Sequence, residues 1–177
     1  MIGNTMKELS LRNVTMMAAA AGCFIQIGAQ LFAVSIMAST VSAAPPRSFA
    51  ILVGEYRYDS SAFWDTAPPI VFAVFLIALI ANWKTQRRNL MLFAVTFFVL
   101  QALLMMFVVE PDWTELKSIG YRDEVDPVLQ SRAARWYALD WLGWAIGALG
   151  GVATLLALIR PSTTPKEDTL NNSQDAA

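Results

Sequence analysis

Arg132, Trp136 and Asp140 recur at four-residue steps, and the same helical stripe continues through Gly143, Gly147 and Gly151. Three side-chain-free positions at this spacing let another helix approach closely. Steps of three and four share one helix face, so Asp140 points into a bundle at the outer membrane boundary, not toward lipid. A carboxylate there needs a partner, and Arg132, Arg135, Arg57 and Arg47 are the available cations. Two roles follow: Asp140 with an arginine clamps the outer loops onto the bundle, or it contacts a ligand. Gln26 and Gln30 lie one turn apart in the first apolar run. Their amides need partners in lipid and must face other helices. They form either an interhelical hydrogen bond, worth about 0.6 and at most about 2 kcal/mol, or the polar floor of an outward-opening cavity. Gln101 can join either arrangement. The ligand-binding candidates are therefore Gln30, Trp64, Arg132, Trp136 and Asp140, and no catalytic residue stands out.

The absences narrow the chemistry further. The chain contains no histidine and one cysteine, Cys23. Histidine-ligated haem or zinc, Glu-x-x-His di-iron sites and a histidine base are excluded, as are Cys-x-x-Cys redox chemistry and an internal disulfide. The acidic cluster of Glu55, Asp59, Asp65, Glu110, Asp112 and residues 123–126, with Arg57 among it, matches no calcium-loop spacing and reads as solvated surface. No metal or cofactor is expected. A net charge of −1 and the lack of a basic, aromatic-interleaved patch argue against nucleic acid.

The elements that must position these residues are set by charge. Of the 177 residues, 56% are hydrophobic and only 15% charged, against about a quarter charged in soluble domains. Four runs carry no Asp, Glu, Lys or Arg: between Arg12 and Arg47, Asp65 and Lys84, Arg88 and Glu110, and Asp140 and Arg160. A hydrocarbon core of about 30 Å takes about 20 helical residues, and lipid offers no partner to open strands. The reading is an all-α, integral membrane four-helix bundle with two structured extracellular loops. It comprises an N-terminus 1–13, a transmembrane domain 14–160 with helices at about 14–42, 67–83, 89–109 and 128–160, and a disordered tail 161–177. Val41-Ser42-Ala43 resembles a signal-peptidase site, but the run is too long and too interrupted by glutamines for a signal peptide, so the helix is read as retained.

Lys84, Arg87 and Arg88 occupy a short segment without acids, whereas residues 110–140 hold seven acids against four bases. The positive-inside rule puts the former in the cytoplasm with both termini, at the cell membrane. Trp64, Trp113, Trp141 and Trp144 then fall at the outer boundary and Trp83 at the inner one. Pro68 and Pro69 are placed in the first turn of helix two, where a missing N–H costs little. Loop one (43–66) is expected to hold a short interfacial helix. Loop three runs from Glu110 to about Pro127, and residues 128–139 extend helix four outward.

This layout resembles the anthrone oxygenase-like family of small four-helix membrane proteins over about Gly22 to Leu158. The shared features are a glycine-containing first helix, Phe63-Trp64 ahead of helix two, Pro111 after helix three and Trp136 leading into helix four. The family's Pro-x-Asn and Trp…His…Arg patterns read here as Pro111-Asp112-Trp113 and Trp136-Tyr137-Ala138-Leu139-Asp140, without the histidine or the arginine that follows it. The resemblance implies the fold, and a cofactor-free oxygenase-like activity on an apolar small molecule. From the residues themselves the first reading is a non-catalytic binding or partner module, packed through the helix-four glycine stripe. The alternative is a membrane enzyme with an outward-facing pocket lined by Trp64, Trp136, Asp140 and Gln30. The partners left open are the lipid bilayer, a second copy or other membrane protein, and an apolar small molecule. A monomeric transporter is disfavoured by the lack of an inverted repeat and of mid-membrane charge.

Overall fold

The computed structural model describes residues 10–162. Four helices are long and apolar enough to cross a membrane: α1 Leu11–Ala43, α2 Ser61–Ala81, α3 Arg88–Ile119 and α4 Pro127–Ile159. The protein is an all-helical, multi-pass membrane bundle. Large apolar side chains such as Ile77, Ile80, Phe93, Leu100, Phe107 and Val152 stay exposed. Surface of this kind is tolerated where lipid, rather than water, is the solvent. The polar tail beyond Ser162, Lys166 within it, and Lys7 lie outside the described residues.

Local chemistry sets three of the helix ends. Ser10 caps α1 by accepting a hydrogen bond from the Asn13 N–H. Asp126 caps α4 by accepting from Val128 and Leu129, and Pro127 follows at the first helical position. Gly120 ends α3 at φ +74°, a backbone region that favours glycine. Beyond α1, residues Arg47–Leu52 form a short 3₁₀ helix, so loop one does hold a helical turn.

Two boundaries differ from the sequence reading. α2 begins at Ser61, so Pro68 and Pro69 lie inside the helix, not in its first turn. Helix three does not stop at residue 109 but continues through Pro111 to Ile119, so much of the expected loop three is helical. A π-helical turn, Met105–Val109, precedes this extension, and its last bond runs from Glu110 N–H to Met105 O. Pro111, which has no N–H to donate, falls where the ladder changes from five-residue to four-residue steps.

At 1.5 Å per residue, 32 or 33 residues span about 50 Å, well beyond a hydrocarbon core of about 30 Å. α1, α3 and α4 therefore project past the membrane, whereas the 21-residue α2 barely spans it. The projections carry the acids of residues 110–126, which defines an acidic end; the 82–88 turn defines a basic end. Two cores result. One joins all four helices through Met16, Ala19, Cys23, Phe75, Met91, Ala94 and Ala153. The other, at the acidic end, packs Val41, Phe49, Val109, Leu116 and Trp136. Phe49 comes from the 3₁₀ segment, and the chain leading into that segment is held by Asp126 N–H donating to Pro45 O (3.0 Å) and by Gln130 Nε2 donating to Ala43 O (3.2 Å).

Candidate functional site

The buried stripe of α4 runs Ala133, Trp136, Asp140, Gly143, Gly147, Gly150, Gly151, Thr154 and Ala157. A Cβ built on Gly147 would lie 2.7–2.9 Å from the Gln101 side-chain amide, and one on Gly143 would lie 3.0 Å from Met105 Sδ and 3.4 Å from Gln30 Nε2. One on Gly151 would meet Ile27 Cδ1 at 2.6 Å. The glycines thus make room within the chain for side chains of α1 and α3. Two of them house a buried amide cluster, and the stripe is filled from inside the bundle.

That cluster links three helices. Gln101 Nε2 of α3 donates to Gln30 Oε1 of α1. Gln30 Nε2 in turn reaches Met105 Sδ at 3.8 Å, and Gln30 is the side-chain hydrogen-bond partner of Asp140 on α4. Asp140 is only 5% exposed. In both α1 and α3 a π-helical turn follows the buried glutamine, Ala33–Ala38 after Gln30 and Met105–Val109 after Gln101. Such turns shift the facing of the residues beyond them.

Asp140 does not take the arginine partner that its burial suggested. Arg132 and Arg135 bind Asp112 instead, one to each carboxylate oxygen at 2.9 Å, and Arg132 also holds Glu115. The reason is axial distance. Arg132 lies two turns along α4 from Asp140, level with the helical extension of α3 that the sequence reading took for loop. Trp136 occupies the turn between them, 2% exposed and stacked on Trp113 at 4.9 Å with an interplanar angle of 16°. Lys117 sits 5.1 Å over the Trp113 ring. The clamp between the α4 lead-in and the rest of the acidic end does exist, but Asp112 is its centre.

Of the five candidates, Gln30 and Asp140 come together and Trp136 covers the adjoining turn, while Arg132 serves the surface clamp. Trp64 stands apart at the start of α2, its ring packed edge-on against Phe63 at 4.9 Å. The Trp136 and Trp144 indole nitrogens are buried without a hydrogen-bond partner. The space expected beneath loops one and three is occupied by the packed core around Phe49 and Trp136. Gln26 and Gln30 also part company: Gln30 joins Asp140, whereas Gln26 lines a separate small cavity at the bundle centre. Among the described residues no group of three or more Cys, Asp or Glu side chains is arranged to hold a metal ion.

The basic end holds a site that charge counting missed. Arg87 is 5% exposed. Its Nε donates to Arg160 O at 2.8 Å, Nη1 to Asn13 Oδ1 at 2.8 Å and Asn82 Oδ1 at 3.4 Å, and Nη2 to Leu158 O at 3.4 Å. Asn82 donates to Arg12 O at 3.2 Å and Arg12 to Ser162 O at 2.9 Å. The guanidinium therefore satisfies carbonyls at the C-terminal end of α4, where the helix dipole also favours a cation. Burial lowers its pKa, though an arginine so placed keeps its charge. In sequence Arg87 looks like any exposed base beside Lys84 and Arg88; only the asparagines at 13 and 82, polar residues at helix ends, hinted at buried partners.

Comparison with known proteins adds no identity: no protein-family model, curated protein or solved structure matches the chain.

Proposed function

We propose that this chain is a non-catalytic binding or partner module of the cell membrane, with its acidic end outside and both termini cytoplasmic. One observation carries the reading: the polar groups best suited to chemistry are spent on one another, in the bundle and at its acidic end. Gln101 donates to Gln30, which partners Asp140, and Arg132 and Arg135 are committed to Asp112. The glycine stripe is filled by Gln101, Met105 and Ile27, so a partner would meet the lipid-facing sides of α2 and α3. Site-specific photo-crosslinkers at Ile77 and Phe93 in native membranes test this. Protein adducts at one of these faces are expected; adducts to lipid alone at both would remove the partner role. Sidedness is tested with cysteines placed at Ser61 and Gln86 in a Cys23→Ala background. An impermeant reagent outside the cell should label position 61 and spare position 86.

The alternative is the cofactor-free, oxygenase-like enzyme implied by the family resemblance. A buried carboxylate answered by an amide rather than a cation favours it, because such a group is suited to proton transfer. Asp140→Asn separates the two: a folded variant that still binds its partner fits the module, and a folded variant that has lost turnover of an apolar substrate fits the enzyme.

A further inference from the structure

At the centre of the bundle lies a cavity of about 10 Å³ bounded by all four helices. Cys23 and Gln26 of α1, Phe75 of α2, Phe98 and Gln101 of α3 and Gly147 of α4 form its walls. Gln26 is 8% exposed, and its Oε1 is a buried acceptor with no partner. An unsatisfied amide oxygen in a lipid-surrounded bundle is costly, since lipid offers no donor and bulk water is kept out. The wall offers a second acceptor as well: Gln101 lines it beside Gly147, and with its Nε2 committed to Gln30 its Oε1 is the group that can accept.

We infer that this cavity is a binding site for a single structural water, which donates one proton to Gln26 Oε1 and the other to Gln101 Oε1. The volume admits one water, which needs about 10–15 Å³, and excludes any larger ligand. The wall holds no carboxylate to attract a cation. Two amides and the Cys23 thiol supply the two to four polar partners that a buried water requires. The water joins Gln26 to the Gln101–Gln30–Asp140 chain, so one polar line runs from the acidic-end boundary to the middle of the membrane. It ties α1 to α3 at a second level, one turn from the direct Gln101–Gln30 bond.

The test is side-chain amide NMR on the full chain, labelled with ¹⁵N-glutamine and reconstituted in lipid nanodiscs. Magnetisation transferred from water should reach the Gln26 and Gln101 amide protons. In Gln26→Met the transfer to Gln101 should be lost while the Gln101–Gln30 contact persists. A wild-type spectrum in which Gln26 contacts only protein protons overturns the site, and so does undiminished transfer to Gln101 in the variant. Because the wild-type spectrum is decisive alone, the inference remains testable even if Gln26→Met fails to fold.

Discussion

The two ends of the bundle are both tied by arginine, in opposite ways. At the acidic end Arg132 and Arg135 meet carboxylates near water; Arg135 and Glu115 are mostly exposed, while Asp112 and Arg132 are largely covered. At the basic end Arg87 is buried and meets neutral oxygens from the ends of three helices. Solvent-exposed ion pairs contribute about 0–1 kcal/mol because water and salt screen them. A buried guanidinium gains less Coulomb attraction, but removing it takes a charged donor from each oxygen it satisfied. The arrangement that counts for less in a charge tally should hold more of the fold.

Arg87→Met should break that comparison if it is wrong. It leaves the Arg160 and Leu158 carbonyls without their arginine donor, and charged hydrogen bonds are worth about 1.5–3 kcal/mol each. The thermal midpoint in detergent should fall further than for any other substitution proposed here; a midpoint within error of wild type would refute the lock.

The bundle centre should fall between the two ends. Gln101→Leu removes the bond to Gln30 and leaves the amide packed against Asp140 without its donor. A loss of about 0.6–2 kcal/mol is expected, in the range of interhelical hydrogen bonds in membranes. Reversible unfolding in mixed micelles reads it. A loss larger than that of Arg87→Met would shift the principal tie from the basic end to the amide chain.

The smallest effect belongs to the clamp. A double-mutant cycle of Asp112→Asn and Arg135→Gln should give a coupling of at most about 1 kcal/mol, shrinking as sodium chloride is raised from 0.05 to about 0.5 M, where the Debye length is only a few ångströms. Coupling that salt does not change would mean the pair is more secluded than its geometry indicates.

The same contrast governs what could be read in advance. The α4 stripe was legible because a period near 3.6 places Asp140, Gly143 and Gly147 together whatever they face. What they face was not legible. Asp140 was matched to arginines by charge, yet along α4 Arg132 lies two turns away, and the amide of Gln30 is nearer. The extension of α3 was hidden by Pro111 and its acids, which signal a loop unless a π turn has already shifted the hydrogen-bond ladder. α2 began earlier than expected because Asp65 ended the charge-free run without ending the helix.

Four apolar helices and their approximate places follow from the sequence by itself, because lipid leaves a charge-free run of backbone no alternative but to satisfy its own peptide groups. Tertiary structure decided the partners: Gln30 for Asp140, Asp112 for the arginines, helix-end carbonyls for Arg87. These choices depend on the axial offset of one helix against another. A single turn, about 5.4 Å, exchanges one partner for the next, and only the packing of all four helices sets that offset.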